Sequence, residues 1–479
     1  MSTRLPTAPS TRSRPAVANR PLLTAGALLL GDVLTLAFTL VGVVWVRLML
    51  GGQYELSLYW QLWPILLLFP AIFAFLGLYP AVGLSVPEEL RRIFAGNTLV
   101  FLLLGSSSFL LQNADVFSRA IFLVAWALSL LTVPLTRASL RHFLARQPWW
   151  GYAVVVLGAG KTGQAVAEAL RNQPGLGLKA VAFLDDEKQG QVAGLEVLGR
   201  LEMAPRLVRE WRVRHAVLAI PSASRERLLQ VIEQYGSAFP RLILIPNLFG
   251  MASLWVSATD VGGMLGLELR HNLLQPWSQF LKRCIDYAGV LAGGLLLLPL
   301  LGLIALAIKL ESRGPVFFAH KRIGKNGQTF RAWKFRTMVH NADEVLRQTL
   351  ETNPNARAEW ERDQKLRNDP RITQLGRWLR RSSLDELPQI WNVLLGEMSL
   401  VGPRPIVQAE VERYGDRFAL YTQVLPGITG LWQVSGRNDT GYAERVSLDT
   451  YYVRNWSPWL DLYLIARTFW AVLWSKGAY

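Results

Sequence analysis

One cysteine, Cys284, and five histidines are all that this chain of 479 residues offers of the side chains that best hold transition metals. A disulfide framework and a cysteine zinc site are excluded, no H-E-x-x-H pattern occurs, and transition-metal catalysis is not expected. Charge is scarce too, at 18% of residues, whereas hydrophobic residues make up 51% and the mean hydropathy is +0.22. That is too apolar for an ordinary soluble enzyme, and the length leaves room for two or three domains. The charges present are unbalanced, 51 Lys and Arg against 35 Asp and Glu, for a formal net charge of +16. Such a surplus suits an anionic lipid surface, a nucleic acid or a phosphorylated substrate, and composition does not choose among them.

Long apolar runs are what the chain has instead. Four come first, at about 22–48, 58–79, 93–111 and 120–135, each near the ~20 residues that a helix needs to cross a bilayer. The first is too long for a signal peptide and lacks a cleavage pattern. Residues 1–20 read as a disordered basic tail carrying Arg4, Arg12, Arg14 and Arg20. Arg91 and Arg92 sit in the second connection and Arg137, Arg141 and Arg146 at the exit, so the positive-inside rule puts the N-terminus and everything after Arg137 in the cytoplasm. Asp32 and Arg47 are expected to snorkel or lie at the interface. A fifth uncharged run, 287–308, is also long enough to cross, yet Lys282 and Arg283 precede it and Lys309, Arg313, Lys321, Arg322 and Lys325 follow. Basic flanks on both sides favour a re-entrant hairpin over about 281–310, bent at Leu298-Pro299, over a Pro-kinked spanning helix.

Between the first four runs and the fifth, Ala153-Val154-Val155-Val156-Leu157 reads as a buried strand, followed by Gly158-Ala159-Gly160-Lys161-Thr162-Gly163 and a helix. This is G-x-G-x-x-G in its proper setting. A second strand ends at Asp185, the offset at which such folds carry a ribose-binding acid. Further strands at 215–220 and 241–245, with a helix at 225–235, predict a parallel α/β unit. Gly158, Gly160, Gly163 and Asp185 would hold a nucleotide if the domain binds one. Structural or regulatory use is the preferred reading and nucleotide binding the alternative, because no Tyr-x-x-x-Lys pair supplies an acid and base for hydride chemistry.

The sequence Ser382-Ser383-Leu384-Asp385-Glu386-Leu387-Pro388-Gln389 follows Arg380 and Arg381. If Pro388 opens a helix through Ile390, Trp391 and Leu394, both acids face its positive end, where anions are favoured and a carboxylate's pKa is lowered. An ionised Asp385 could then attack phosphorus. Taken alone, Ser383-x-x-Glu386 is more often a capping box, although proline at the fifth position of such a helix argues against it. A strand-like stretch at 330–338 sets Lys334 and Arg336 two residues apart, on one face, where both could reach phosphate oxygens; Trp333 and Phe335 suggest that the other face is buried. Arg380, Arg381, Arg404 (between two prolines) and Arg437 are further anion binders. Residues 342–369 read as two exposed helices of mixed charge, a solvated face rather than a nucleic-acid patch.

From about residue 279 onward the chain resembles the bacterial sugar transferases, the monotopic phosphoglycosyl transferases. The likeness rests on Lys334-Phe335-Arg336-Thr337-Met338, the acidic turn, Gly396-Glu397-Met398-Ser399-Leu400-Val401-Gly402-Pro403-Arg404-Pro405, and 426–438 with its Ser435-Gly436-Arg437-Asn438 loop. With the helices and nucleotide fold before it, it looks like a long member of that family. The resemblance implies a membrane α plus α/β architecture: a four-helix transmembrane region at 21–147, a Rossmann-like domain at 148–275 and a catalytic domain at 276–479. It further implies transfer of a sugar 1-phosphate from a UDP-sugar to undecaprenyl phosphate at the inner face of the bacterial cytoplasmic membrane, with release of UMP. Asp385 would be the nucleophile of a covalent aspartyl phosphosugar and Glu386 the second catalytic carboxylate and a ligand of Mg²⁺. Lys334, Arg336, Arg380, Arg381, Arg404 and Arg437 would bind substrate, with Arg437 near the uridine diphosphate. Galactose is implied by likeness, glucose next, in the initiating step of O-antigen, capsule or exopolysaccharide synthesis; a homodimer is implied and no nucleic acid. Family members commonly carry a serine before the bend proline, and Leu298 stands there instead. The C-terminal Trp-rich helix would lie at the interface or in the core.

Two other functions compete. A membrane-tethered NAD-dependent epimerase or reductase would centre on Gly158, Gly160 and Gly163 but lacks its tyrosine and lysine. A non-enzymatic adaptor binding lipid or nucleic acid would leave the ordered transferase motifs without a purpose.

Overall fold

The computed structural model describes residues 20–51, 66–110, 119–245, 256–261, 264–269, 272–363, 366, 369–435 and 441–474. The chain divides into two compact units, 1–248 and 249–479.

The first unit opens with helices α1 (Pro21–Met49), α2 (Leu68–Phe75), α3 (Val86–Leu110) and α4 (Arg119–Leu144). α1 and α4 are long and apolar enough to cross a membrane. Leu36, Val43, Phe69, Phe73, Ile93, Val100, Ile121 and Val133 pack between the helices, while Phe38, Phe75, Leu102 and Leu131 stay exposed. A helix apolar on its outer face as well as its inner one suits lipid rather than water. The second expected run lies partly outside the described residues. α3 starts earlier than hydropathy suggested, so Arg91 and Arg92 are helical rather than in a connection; they pair with Glu88 at 2.7 and 2.8 Å. α4 runs on past Pro134, carrying Arg137 and Arg141 inward instead of to an exit.

That extension corrects the reading of Asp32. Asp32 is buried, and its carboxylate accepts from Arg137 Nε at 2.9 Å, Arg137 Nη2 at 2.6 Å and Tyr79 OH at 2.5 Å. Arg137, itself buried, also reaches Glu89 at 2.8 Å, and Arg141 reaches the same carboxylate at 3.0 Å. Two acids and two arginines therefore neutralise one another across α1, α3 and α4, which is how charge is tolerated in apolar surroundings. Arg47 is exposed in the last turn of α1.

The same unit continues into a six-stranded sheet of order β3-β4-β2-β1-β5-β6. Its strands are β1 (Tyr152–Leu157), β2 (Leu178–Leu184), β3 (Gly190–Val192), β4 (Leu195–Val197), β5 (His215–Leu218) and β6 (Arg241–Leu244), with helices α5 (Lys161–Asn172), α6 (Ala204–Trp211) and α7 (Arg225–Gln234). All pairings are parallel except that of edge strand β3, as expected of a doubly wound fold whose β1, buried on both faces, reads as a continuous apolar run. The β3–β4 hairpin and α6 were not anticipated, three-residue strands being too short for periodicity to register. The Gly151 N–H donates to Thr24 Oγ1 at 2.9 Å and Arg141 donates to the Gly175 carbonyl at 2.6 Å, tying sheet to helices.

The second unit contains a hairpin of β7 (Val256–Val261) and β8 (Met264–Leu269), then α8 (Pro276–Glu311). α8 is the third helix long and apolar enough to cross a membrane, and it runs through Pro299 without an assigned break. Leu295, Leu296, Leu298, Leu303, Leu306 and Leu310 are exposed along it. The rest of the unit follows as the antiparallel ribbon β9 (Phe317–Ile323) and β10 (Thr329–Phe335), α9 (Ala342–Thr352), α10 (Pro354–Asp363), α11 (Gln374–Ser382) and α12 (Ile390–Leu395). β11 (Ser399–Val401) pairs in parallel with β12 (Gly427–Thr429), and α13 (Tyr442–Asn455) and α14 (Pro458–Trp474) close the chain. Leu460 and Leu464 of α14 are core, as one of the two expected placements required, while Leu462, Phe469 and Trp470 are exposed.

Lys282 is not a headgroup-facing flank. It is buried, 2.7 Å from Asp461 and 3.4 Å from Asp286, whose carboxylate also accepts from Ser399 Oγ at 2.7 Å.

The buried ion cluster of the first unit is directly testable. Arg137→Met strands Asp32 and Glu89 without their partner, and breaking a buried pair in this way costs ~3–5 kcal/mol. A thermal midpoint in detergent that falls by several degrees is the expected outcome; an unchanged midpoint would show that the cluster holds nothing together.

Candidate active site

Directly opposed residues of an antiparallel ribbon share a face. In β9 and β10, Arg322 opposes Phe330, His320 opposes Ala332 and Phe318 opposes Lys334, so Arg322 and Lys334 leave the same side. Phe330 and Ala332 of that side are buried with Val393 and Met398. Phe335, facing the other way, is buried with Ile304, Ile308 and Leu379. The ribbon is thus covered on both sides, rather than only behind Trp333 and Phe335. A side chain, not a third strand, serves the other edge of β10: the fully buried Asn392 accepts from the Trp333 N–H at 3.0 Å and donates to the Arg331 carbonyl at 2.8 Å. Since Asn392 belongs to α12, these bonds seat the acidic turn against the strand that carries Lys334.

α11 ends at Ser383, whose φ of 57° is left-handed, an uncommon conformation for a residue with a Cβ. That corner lets a six-residue 3₁₀ turn, Leu384–Gln389, begin at once and run into α12. Pro388 therefore does not open the helix: it lies inside the 3₁₀ turn, and the α-helix begins two residues later at Ile390. Proline at the fifth position would clash with the carbonyl four residues earlier in an α-helix, and the tighter turn avoids that contact. No capping box forms: Ser383 makes no side-chain cap bond, and Glu386 sends its carboxylate elsewhere.

It sends it to Lys334. Lys334 Nζ lies 2.6 Å from Glu386 Oε1 and 3.8 Å from Asp385 Oδ2, one ammonium serving two adjacent acids. Arg322, Lys334, Glu386, Gln389, Arg404 and Gln433 line a small cavity beside them. The two carboxylates differ. Burial pushes Glu386 up, but Lys334, Arg404 and Arg322 together outweigh it and hold the group below its ordinary value. Burial raises Asp385, and the neighbouring Glu386 charge adds to this against Lys334 and Arg380, so Asp385 stays above its ordinary value. This reverses the expectation that a helix N-terminus would lower Asp385: the turn is short, and desolvation beside a like charge is the larger effect.

The expected anion binders separate into groups. Arg404, half-buried, lines the cavity and stacks 5.6 Å from the centre of the Trp432 ring. Arg380 donates from Nε to Thr337 Oγ1 at 2.8 Å and bears electrostatically on Asp385. Arg381 is exposed and takes no part in the contacts of the acidic pair. Arg336 does not share the task of Lys334. It lies beyond the end of β10, buried, with Nη1 donating to the Arg313 carbonyl at 2.9 Å and Nη2 to the Ser312 carbonyl and Oγ at 2.7 Å. It ties down the chain leaving α8 and is spent structurally. Arg437 lies outside the described residues.

Arg322, Gln389, Gln433, Trp432 and Asn392 were not anticipated. Arg322 was readable in principle, because Phe318, His320 and Arg322 alternate on β9 as Phe330, Ala332 and Lys334 do on β10; its place in a run of basic residues suggested a lipid-facing flank instead. Behind Arg404, the buried Asp449 accepts from Tyr414 OH at 2.8 Å. Burial pushes Asp449 up to about 7, against the Tyr414 hydrogen bond and the charges of Arg445 and Arg404.

Among the described residues no three His, Cys, Asp or Glu side chains gather as a metal cage. Mg²⁺ does not need one: it commonly takes one or two carboxylates and completes its shell with water and phosphate oxygens. Asp385 and Glu386 fit that pattern.

In the nucleotide fold, a Cβ on Gly158 (φ 103°) would meet Ile220 at 2.6 Å, one on Gly163 would run into the Gly158 carbonyl, and one on Gly160 would meet nothing within 4 Å. Asp185 is turned onto the loop itself. Its Oδ2 accepts from the Ala159 N–H at 2.6 Å, and its Oδ1 accepts from the N–H groups of Glu187 and Lys188 at 2.9 and 2.8 Å.

Paired carboxylates under one lysine, ringed by arginines and set beside a long apolar helix, define a membrane-associated enzyme of phosphate transfer. Residues 277–475 match the family described as bacterial sugar transferase, and 74–246 match one described as a CoA-binding domain. The chain is 39% identical over 405 residues to the UDP-galactose-lipid carrier transferase of Erwinia amylovora, with 82% of each chain covered. It is 37% identical over 398 residues to the undecaprenyl-phosphate galactose phosphotransferase of Salmonella typhimurium, again covering 82% of each. With the UDP-glucose:undecaprenyl-phosphate glucose-1-phosphate transferase of Escherichia coli it shares 36% over 337 residues, 68% of each. The chain belongs to the bacterial sugar transferases.

Lys334 is the charge common to both acids, which fixes the sign of one experiment. Lys334→Met removes a cation that favours the ionised form of Asp385 and of Glu386, so both pKa values rise and the acid limb of the pH–rate profile moves to higher pH. A limb that stays put or moves down would refute the electrostatic assignment.

Proposed function

We propose that this enzyme transfers a hexose 1-phosphate from a UDP-hexose to undecaprenyl phosphate and releases UMP, as the initiating step of a surface polysaccharide. The observation that carries the reading is Lys334 reaching both Asp385 and Glu386, with Lys334 and Glu386 themselves lining a cavity shared with Arg322 and Arg404. Galactose is the preferred sugar, because the relatives named for galactose carrier chemistry are similar over 82% of the chain; glucose is the alternative.

An oxygen of ionised Asp385 attacks the phosphorus that bears the sugar. The bond from that phosphorus to the bridging oxygen breaks, UMP leaves with the electron pair, and an aspartyl phosphosugar remains. An oxygen of undecaprenyl phosphate then attacks the same phosphorus, breaks the acyl phosphate bond and returns Asp385 as a carboxylate. No separate base is needed for the first attack, since a carboxylate once ionised is its own nucleophile, and Lys334 and Arg380 favour that form of Asp385 against the effect of burial. Lys334 favours the ionised forms of both Asp385 and Glu386, and Arg322 and Arg404 offer forked donors to the diphosphate. Bound at Glu386, with Asp385 beside it, Mg²⁺ would neutralise charge on the departing nucleotide. No step uses a ligand at the Gly158 loop, where Asp185 already satisfies the Ala159 N–H.

The membrane arrangement we propose has four spanning helices in the N-terminal region and a re-entrant α8, with the N-terminus and the catalytic residues cytoplasmic. The re-entrant reading is supported by the partners of the two ends of α8. Near its start, Asp286 accepts from Ser399 Oγ and the Leu400 N–H; at its end, Glu311 accepts from the Leu375 N–H at 2.9 Å and Ser312 from Arg336. A straight helix rises ~1.5 Å per residue and would carry these ends to opposite sides of a ~30 Å hydrocarbon core, yet both bond to one compact unit. The assembly proposed is a homodimer, the state that the resemblance implies.

Asp385→Asn should abolish transfer of label from a [β-³²P]UDP-hexose to the protein, together with UMP release; a labelled Asp385→Asn protein would eliminate the nucleophile. For topology, single cysteines at Trp277 and Arg313 in a Cys284→Ser background should both react only when the inner membrane face is open to reagent. Labelling of either one from outside the cell would show that α8 crosses.

A further inference from the structure

The arginines of the cavity have a common support. Arg445, in the first turn of α13, sits 4.3 Å from the centre of the Trp432 ring, the ring on which Arg404 stacks at 5.6 Å. The same Arg445 lies 3.7 Å from Glu410 Oε1, while Glu410 Oε2 lies 3.9 Å from Arg322. Glu410 is held in turn by the Val407 N–H at 3.0 Å. One guanidinium therefore reaches Arg404 through an indole and Arg322 through a carboxylate, and Tyr442 packs against it at 5.3 Å. We infer that Arg445 is a positioning residue, which sets Arg322 and Arg404 across the cavity from Glu386 without being one of the residues that line it.

The physical argument is competition for Glu410. As long as Arg445 shares that carboxylate, neither arginine closes on it fully, and Arg322 keeps its charge directed at the cavity. Without Arg445, Glu410 has one cation left to neutralise, and Arg322 is drawn toward it and away from Glu386. The indole arm fails at the same time, since a ring relieved of one guanidinium no longer fixes the plane on which the other stacks. Lysine does not replace arginine here, because a point charge on a flexible stem cannot stack on Trp432 and approach Glu410 in one fixed geometry.

This inference rests on the proposed reaction, and the test separates the two. With full-length protein in nanodiscs, UMP release is measured against UDP-hexose concentration. Arg445→Met and Arg445→Lys should each raise KM for the UDP-hexose about tenfold with kcat within about threefold, as expected when side chains that bind the ground state lose their coupled support. In an Arg322→Met/Arg404→Met background, Arg445→Met should add less than about twofold, because the residues it positions are already gone. A full tenfold addition in that background, or an unchanged KM in the single variants, overturns the inference. Should Arg445→Met fail to fold, Glu410→Gln and Trp432→Leu cut the two arms separately, and an unchanged KM in both overturns it equally. Turnover by Asp385→Asn would instead condemn the reaction proposed above, whatever Arg445 does.

Discussion

One ammonium between two neighbouring carboxylates is the constraint on which the catalytic half depends. Asp385 and Glu386 are adjacent in the chain and largely withdrawn from water, where like charges raise each other's pKa and desolvation raises both. Lys334 offsets that at 2.6 and 3.8 Å. Other features of the unit can be read as means of keeping these distances. Asn392 bonds the helix after the acidic turn to the edge of the strand that carries the lysine, Ser383 turns the chain through a left-handed corner in one residue, and Phe330 and Ala332 bury the ribbon face beneath. The acids are also made unequal. Glu386, facing three cations, is held low, while Asp385 is pushed up by burial and by its like-charged neighbour.

Charge in apolar surroundings is handled in the same way elsewhere. In the first unit Asp32, Glu89, Arg137 and Arg141 form a neutral set across three helices. In the second, Lys282 is matched by Asp286 and Asp461, with Ser399, Tyr452 and Trp456 completing their hydrogen bonds. Removing one member of such a set costs more than the set contributes, because the remaining charge has no water to turn to. The buried ions thus lock particular helices in register rather than add stability in bulk.

The glycine loop shows how far fold and ligand can part. Gly158 and Gly163 are needed where they stand because a Cβ at either would collide with neighbouring chain, whatever the domain binds. Only Gly160 looks onto open space. The acid that a dinucleotide would meet at the end of β2 is bonded instead to one N–H of the loop, that of Ala159, and to the N–H groups of Glu187 and Lys188 in its own turn, so the motif accounts for the packing of strand, turn and helix without calling for a nucleotide.

Residue order alone determined much of this protein. The apolar runs, the parallel α/β unit around Ala153–Leu157's strand, the exposed pair of helices after Lys334 and the acidic turn were all legible, because period, length and motif spacing are local properties of a chain. What lay beyond reach were quantities set by residues distant in sequence. Arg137 and Lys282 read as interfacial charges because their partners are 105 and 179 positions away. Arg336 reads as a twin of Lys334 until the strand is seen to end before it. Arg322 reads as a membrane flank until the ribbon's register turns it to the cavity. The sign of the shift at Asp385 likewise depends on how deeply the turn is buried and on which cation approaches which oxygen. Those are matters of distance and solvent exclusion, and only tertiary packing decides them.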